Sequence, residues 1–306
     1  MKLIASVLAC VAAVVDAQQA IDLHEWGVVL YAGDSIGVLC SAGAPWLAPV
    51  SVDAPVIYFH GAPFTGEVTV GSLGRISDCY PEPDARGGPL WNGGGLGSMI
   101  RWTGIGIVTA SSDVLPGDDR NGRADISIPG FDWALDLWRI DGANRISRRS
   151  DGFADSFLYY EADFTDTGFP VPLCGHVEPG TPPLETAFEY LEFRRTDDGA
   201  ITCVSKTCLS DRPCDESPPL PEIDKSCETA FETVRGWASG ILTDEEVGAM
   251  WATWEPWIYY GDWRGRRLLV FPVPQPVVEE ISFIRVESEQ NLPVEQHRFF
   301  LGMLPE

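Results

Sequence analysis

The residues best suited to chemistry in this sequence are its four histidines and one neighbouring glutamate. Of these, His24, His60 and His176 each lie beside an expected strand end or turn. Glu25 directly follows His24. Imidazoles from separate strands are how a sheet builds a metal site, and a nearby carboxylate can be a further ligand or a base. The pattern therefore makes a divalent-metal site formed by His24, Glu25, His60 and His176 one candidate.

Strand geometry favours a different role for His24. The spacings H-E-x-x-H and H-x-H are both absent from the chain. Adjacent strand residues point to opposite faces, so His24 and Glu25 share one site only if the backbone bulges or turns. Without a bulge, His24 lies on the core side with Trp26 and needs hydrogen-bond partners. Gly27 follows where a close approach of another backbone leaves no room for a side chain.

An acidic loop is a second candidate for a metal site. Aligned with a calcium-binding loop, Asp119 and Asn121 occupy the third and fifth positions and Asp125 occupies the ninth. Gly117 and Ile128 stand at the first and twelfth positions, so at least two ligands are missing. The Asn-Gly pair is equally typical of a hairpin turn. The loop predicts weak calcium binding at most.

Aromatic side chains offer a third possibility. The chain has 11 Trp and eight Tyr, and exposed Trp rings stack on sugars and on peptide side chains. Trp257 and Trp263 lie in a Pro- and Gly-containing stretch after a predicted helix, so we expect an exposed pair that binds a carbohydrate or a peptide. The G-x-S-x-G elbow of serine hydrolases does not occur.

Net charge excludes several classes of partner. The 306 residues include 45 Asp and Glu against 21 Lys and Arg, which gives a formal net charge of −24. Such a chain repels nucleic acid and anionic membrane surfaces. An apolar content of 45% is enough for a folded core. Cations, metals and neutral ligands remain as partners.

The first seventeen residues resemble a secretory signal peptide. Lys2 precedes an apolar stretch from Leu3 to Val15, and small residues stand at the positions that signal peptidase reads before Ala17. We expect cleavage after Ala17 and a secreted or periplasmic protein, because the stretch is too short to span a bilayer. Lipidation of Cys10 is an alternative that leaves the apolar region at the lower limit of its usual length.

Cysteine usage agrees with export. Four cysteines lie within twenty-five residues of a proline-rich stretch, and we expect two disulfides among them. They are Cys203, Cys208, Cys214 and Cys227. A zinc site is the alternative, but paired C-x2-C spacings are missing. One further thiol among Cys40, Cys79 and Cys174 is left over.

The N-terminal half contains short β-branched and aromatic runs bounded by Gly, Pro and Asp, which predict an antiparallel sandwich or barrel-like core. These runs are Val28–Tyr31, Pro55–Phe59, Glu67–Val70, Ile100–Trp102, Ile105–Val108 and Phe157–Tyr160. The predicted fold class is mainly β, an antiparallel sandwich-like core with a smaller α+β C-terminal segment of two helices and about three strands. We divide the chain into a signal peptide (1–17), a β-rich domain (18–200), a Cys- and Pro-rich insertion (201–227) and an α+β segment packing on the β core (228–306).

Helix signals are strongest in the C-terminal third. Apolar residues at helical spacing predict a helix over Glu228–Ala238 that Gly240 ends. Thr243 and Glu246 form a capping box that starts a second helix, and Pro256 is expected to stop it. Strands are then predicted over Arg267–Phe271, Ile281–Val286 and Arg298–Leu301. The Pro-rich stretch after the first of these is expected to be stiff and outside any ladder.

Several short segments recur in an order that resembles a group of exported bacterial proteins carrying a His-Glu-Trp-Gly segment. They are Leu23-His24-Glu25-Trp26-Gly27, Pro55-Val56-Ile57-Tyr58-Phe59, Tyr80-Pro81, Phe157-Leu158-Tyr159-Tyr160, the Leu242 to Trp254 helix and Arg267-Leu268-Leu269. The resemblance implies export and a shared fold but brings no activity. We therefore expect a non-catalytic binding or cell-envelope-associated protein. The alternative is a metal-dependent hydrolase built on His24, Glu25, His60 and His176.

Overall fold

The computed structural model describes residues 20–31, 47–48, 50–87, 98–109, 128, 130–164, 169–170, 188–208, 223–225, 227–261, 263 and 266–305. Its strands are β1 (Ile21–Tyr31), β2 (Leu47–Ala48), β3 (Val50–Gly61), β4 (Phe64–Ser72), β5 (Arg75–Tyr80), β6 (Ala85–Gly87), β7 (Ser98–Val108), β8 (Arg145–Arg148), β9 (Phe153–Asp155), β10 (Leu158–Asp163), β11 (Phe169–Pro170), β12 (Phe188–Arg195), β13 (Ile201–Cys208), β14 (Ile223–Lys225), β15 (Arg267–Pro272), β16 (Ser282–Ser288) and β17 (Val294–Pro305). Its helices are α1 (Leu135–Trp138), α2 (Cys227–Ala238), α3 (Asp244–Tyr260) and α4 (Gln275–Ile281). This mainly β content confirms the predicted fold class.

The described strands form two large sheets that pack face to face. The larger sheet has nine strands in the order β14-β13-β12-β15-β17-β1-β3-β10-β5. The smaller sheet has the order β16-β4-β7-β8-β9, with β6 paired to β7. One apolar cluster fills the space between the sheets, and a second fills the space between the larger sheet and helices α1 to α3. The larger sheet is therefore covered on both faces.

The first and last described strands lie side by side in the larger sheet. β1 pairs in parallel with β17 on one side and antiparallel with β3 on the other. In this register His24 lies opposite His297, and Asp22 lies opposite His60. Since Asp22 and His24 are two residues apart on one strand, they point to the same face. The pairing thus gathers polar residues from three strands at one end of the sheet.

Gly27 is a point of close approach, as the sequence predicts. A Cβ atom there would lie 2.6 Å from the Phe300 ring and 3.2 Å from Cα of Pro55. The pairing of β1 with β3 also shifts register between Trp26 and Val28. A larger residue would push the neighbouring strands apart.

The helices confirm two predictions and contradict a third. α2 matches the predicted helix, and Gly240 follows it with φ of +77°. α3 begins at the predicted capping box. Pro256 does not stop α3, which continues to Tyr260. Burial explains the difference, because Ile258 beyond the proline is completely buried and offsets the loss of one helical hydrogen bond.

The proline-rich stretch after β15 contains a short helix that the sequence did not predict. Pro276 lies in the first turn of α4, where a missing N–H is tolerated. The strand predicted over Ile281–Val286 is β16, which begins one residue later, after this helix. In the described part of the chain, no helix is both long and apolar enough to cross a membrane.

The structure locates only some of the cysteines in the disulfide prediction. Cys203 and Cys208 lie on one strand, five residues or about 17 Å apart, so they cannot bridge to each other. Cys214 lies outside the described residues, and the two disulfides stay a prediction. Cys79 is a buried thiol that accepts a hydrogen bond from Arg86 at 3.0 Å, and its burial raises its pKa to about 11.

Candidate metal centre

Five side chains of the described residues converge where the larger sheet meets the first turn of α3. They are Asp22 and His24 from β1, His60 from β3, His297 from β17 and Glu246 from α3. The ring centroid of His24 lies 4.5 Å from that of His60 and 5.1 Å from that of His297. We call Asp22, His24 and His297 the outer group, and His24, His60 and Glu246 the inner group. His24 belongs to both.

Glu246 is the charged centre of the inner group. Its buried carboxylate accepts hydrogen bonds from Nδ1 of His24 at 2.8 Å and from Nε2 of His60 at 2.9 Å. It also accepts from the backbone N–H of Thr243 at 2.7 Å, which completes the capping box. Burial alone would raise the pKa of Glu246, but these hydrogen bonds outweigh burial and lower it to about 2. Glu246 is therefore ionised.

His60 carries a proton on each ring nitrogen in this arrangement. Its Nδ1 lies 3.2 Å from the carbonyl oxygen of Gly142, and its Nε2 faces the ionised Glu246. Both partners accept only, so both nitrogens must donate. Burial lowers the pKa of His60, but the hydrogen bond and the charge of Glu246 outweigh burial and raise it.

Asp22 presents a buried oxygen that lacks a hydrogen bond. Its Oδ1 lies 3.2 Å from Nε2 of His24 and 3.4 Å from Nε2 of His297. Among the described residues, no group donates a hydrogen bond to this oxygen with acceptable geometry. With Nδ1 of His24 hydrogen-bonded to Glu246, Nε2 is the ring nitrogen left to bind an ion. A carboxylate oxygen without a hydrogen bond thus lies beside two imidazole nitrogens, an arrangement that a bound cation would satisfy.

The outer group fits a transition metal in both geometry and chemistry. Its three ligand atoms all lie within 4.8 Å of one another. Tetrahedral zinc with bonds of about 2.0–2.1 Å needs ligand atoms about 3.4 Å apart, which lies inside that range. Two imidazoles and one carboxylate suit zinc, copper, iron or nickel. The side chains of Asp22 and His297 are 35% and 36% exposed, so ions can enter from that side.

The surroundings of His24 resemble those of a metal-binding histidine. Such a histidine almost always donates its second N–H to a carboxylate or a backbone carbonyl, which orients the ring. Here Nδ1–H of His24 donates to Glu246, and His60 and Thr243 hold that carboxylate in place. The inner group thus orients the ring whose Nε2 belongs to the outer group.

The structure separates Glu25 from the predicted metal site. Glu25 points to the opposite face of β1 from His24 and is completely buried between the sheets. Its carboxylate accepts hydrogen bonds from Tyr160 at 2.8 Å and from Nε of Arg298. The inclusion of Glu25 as a ligand or base beside His24 is therefore wrong, because the strand alternates faces without a bulge at that point.

The histidine predictions have different outcomes. His24 lies on the face of Trp26 and is only 8% exposed, which agrees with a hydrogen-bonded position in the core. His24 and His60 come together, and His297 joins them. His176 lies outside the described residues. The candidate ligands in the structure thus exclude Glu25, which the sequence analysis had included. They include Asp22, Glu246 and His297, which it had not.

The other candidate sites receive less support. Trp263 is 3% exposed, and its Nε1 donates to the carbonyl oxygen of Ile258 at 3.1 Å, while Arg195 lies over its ring. The expectation of an exposed tryptophan pair is therefore wrong for Trp263. Trp257 is partly buried and contacts Trp254 edge-on. The candidate calcium ligands Asp119, Asn121 and Asp125 lie outside the described residues.

No protein-family model, curated protein or solved structure matches this chain.

Proposed function

We propose that this chain is an exported protein that binds one divalent transition-metal ion, such as Zn²⁺, through Asp22, His24 and His297. The observation that carries the proposal is the buried Oδ1 of Asp22, which faces two imidazole nitrogens without a hydrogen bond. Leaving a buried polar atom unsatisfied costs about 1–3 kcal/mol. A bound cation removes that cost and ligates all three side chains.

Net charge supports binding of a cation. A formal charge of −24 raises the local concentration of cations around the protein and repels anionic ligands such as phosphate esters. Export, proposed from the N-terminal seventeen residues, places the site where metal ions are not buffered by cytosolic thiols. Capture of a metal ion fits a non-catalytic binding role in the cell envelope or outside the cell.

A metal-dependent hydrolase is the second candidate, and one observation favours it. The outer group supplies three protein ligands and is partly exposed, as in catalytic zinc sites that keep a fourth position for water. The bound ion would lower the pKa of that water and generate a nucleophile. A neutral ester or peptide substrate suits the acidic chain. Zinc-dependent hydrolysis that is lost in His297→Ala would support this role.

The test of metal binding is a calorimetric titration of Zn²⁺ into protein first treated with a chelator. We expect wild type to bind zinc, and Asp22→Asn to weaken the outer site by at least tenfold because it removes the charged ligand. Asp198→Asn, which removes one charge at an exposed turn, is the matched control and should bind like wild type. A wild type that binds no zinc, or an Asp22→Asn variant with unchanged affinity, contradicts the proposal.

A further inference from the structure

His24 is the only described residue that belongs to both groups of metal-ligating side chains, and its Nε2 lies by Asp22 whereas its Nδ1 lies by Glu246. We propose that the inner group binds a second divalent ion and that the ring of His24 bridges the two ions. This inference rests on the proposed function, because the first ion at Nε2 of His24 prepares the ring for the second at Nδ1.

The inner group has the ligand types and spacing of a second site. His24, His60 and Glu246 each offer a ligand atom, and these atoms lie within 4.8 Å of one another. The two hydrogen-bonded contacts measure 2.8 Å and 2.9 Å, and tetrahedral coordination needs about 3.4 Å between ligand atoms. An opening of about half an ångström is therefore enough to admit an ion.

The residues around the inner group already hold its ligands in place. Nδ1–H of His60 donates to the carbonyl oxygen of Gly142, so its Nε2 is directed at the site. The backbone N–H of Thr243 holds one carboxylate oxygen of Glu246 at the start of α3. These are the outer contacts that orient metal-binding histidines and carboxylates.

The second ion takes the place of two protons. One leaves Nδ1 of His24 and the other leaves Nε2 of His60, and both pass to solvent. His24 becomes an imidazolate with a lone pair on each nitrogen, which the first ion favours by withdrawing charge through Nε2. The negative charges of Asp22, Glu246 and the imidazolate offset most of the charge of two ions. The ring spacing and two metal–nitrogen bonds place the ions about 6 Å apart.

Copper titration followed by electron paramagnetic resonance tests the bridge, because Cu²⁺ also prefers imidazole ligands. In wild type we expect the signal to grow up to one equivalent and then to be lost as the second equivalent binds. The loss arises because two unpaired electrons couple through an imidazolate. His60→Ala should bind one ion and keep its signal, and His297→Ala should also lose the two-copper state.

The Glu246→Gln variant distinguishes loss of a metal ligand from a folding defect. Glutamine at the third helical position can keep the capping box but lacks the charged ligand, so this variant should fold and hold only one ion. Glu279→Gln, at an exposed position on α4 away from the site, is the matched control and should keep both ions. Wild type that binds one ion overturns the bridge and leaves the proposed function standing. Two ions with a full, uncoupled signal also overturn the bridge, and no bound ion overturns both proposals.

Discussion

His24 places its two ring nitrogens in different surroundings, and this difference decides what each can bind. Nδ1 is hydrogen-bonded to the ionised Glu246, whereas Nε2 faces Asp22 and His297 without a hydrogen bond. The first contact stabilises the metal-free fold. The second leaves a carboxylate oxygen without a hydrogen bond beside two imidazole nitrogens, which favours a cation. One residue therefore combines a structural contact through Nδ1 with the proposed metal contact through Nε2.

The structural role predicts that His24→Ala destabilises the metal-free protein. The substitution removes one of the hydrogen bonds to a completely buried carboxylate, so we expect a loss of about 1–3 kcal/mol in the free energy of unfolding. Urea unfolding in the presence of a chelator measures it. His297→Ala, in the exposed part of the outer group, is the control and should cost less. An unchanged free energy for His24→Ala would show that its contact with Glu246 does not stabilise the fold.

A second residue-scale prediction concerns Glu161, away from the histidines. Burial and the charges of Asp53 and Asp78 raise its pKa to about 7, despite a hydrogen bond from Tyr159. The folded protein then binds a proton that the unfolded chain has released, between about pH 4 and pH 7. Stability from this group is present below pH 4 and is lost as the pH rises to 7.

Glu161→Gln removes that charge, so the variant should be more stable than wild type at pH 8 and similar at pH 4. We expect a gain of about 1–2 kcal/mol at pH 8, after allowance for partial exposure to solvent. Urea unfolding at both pH values measures the difference. Glu287→Gln, at an exposed position on β16, is the control. A gain at pH 4 as large as that at pH 8 would rule out the titration of Glu161.

Residue patterns predicted only part of the candidate metal centre. His24 and His60 were recognisable as candidates by residue type. Asp22 carried a usable signal, since residues two apart on a strand share a face. Glu246 was placed correctly at the start of α3, but its reach to the histidines depends on how the helix packs. His297 joins them through strand pairing between distant parts of the chain.

At the scale of elements, the start of α3 links the helix layer to the sheet. The capping box satisfies the first backbone N–H groups of the helix, and the same Glu246 side chain binds two histidines of the sheet. The positive end of the helix dipole further stabilises this carboxylate. The position of α3 and the geometry of the inner group are therefore coupled.

Replacing Pro256 in α3 is expected to change the free energy of unfolding. The proline cannot donate a hydrogen bond to the carbonyl oxygen of Ala252, and its side chain is exposed. Pro256→Ala restores the donor, so we expect the free energy of unfolding to rise by about 1–3 kcal/mol. Thermal or urea unfolding measures the change. A destabilised variant would show that the proline ring makes packing contacts that outweigh the hydrogen bond.

Element boundaries were predictable where local chemistry decides them. The Thr243 capping box located the start of α3 without tertiary information. β7 was predicted as two strands but forms one, because Gly104 in its middle adopts φ of +61° and the strand continues beyond it. The continuation of α3 beyond Pro256 was not predictable, since it depends on burial against the sheet.

At the scale of the whole molecule, the candidate metal centre depends on pairing between the two ends of the described chain. β1 and β17 are parallel neighbours, and only this pairing places His297 beside His24. Alternation and composition predicted a mainly β sandwich, but neither specifies which distant strands are neighbours. The site was therefore only partly predictable from local patterns.

The cysteine-rich stretch gives a whole-molecule prediction. If export leads to oxidation, the cysteines at 203, 208, 214 and 227 form two disulfides. Cys203 and Cys208 are too far apart along β13 to pair with each other, so each pairs with Cys214 or Cys227. Mass mapping of non-reduced peptides from exported protein distinguishes these pairings. Four free thiols in that protein would refute the disulfide framework.

Anomalous diffraction from crystals grown with Zn²⁺ shows whether Asp22, His24 and His297 bind the ion. Data collected above and below the zinc absorption edge locate each zinc ion independently of the protein atoms. We expect a peak about 2 Å from Nε2 of His24 and at bonding distance from Asp22 and His297. A zinc-saturated crystal without that peak, in which Asp22 Oδ1 instead accepts a hydrogen bond from water, would contradict it.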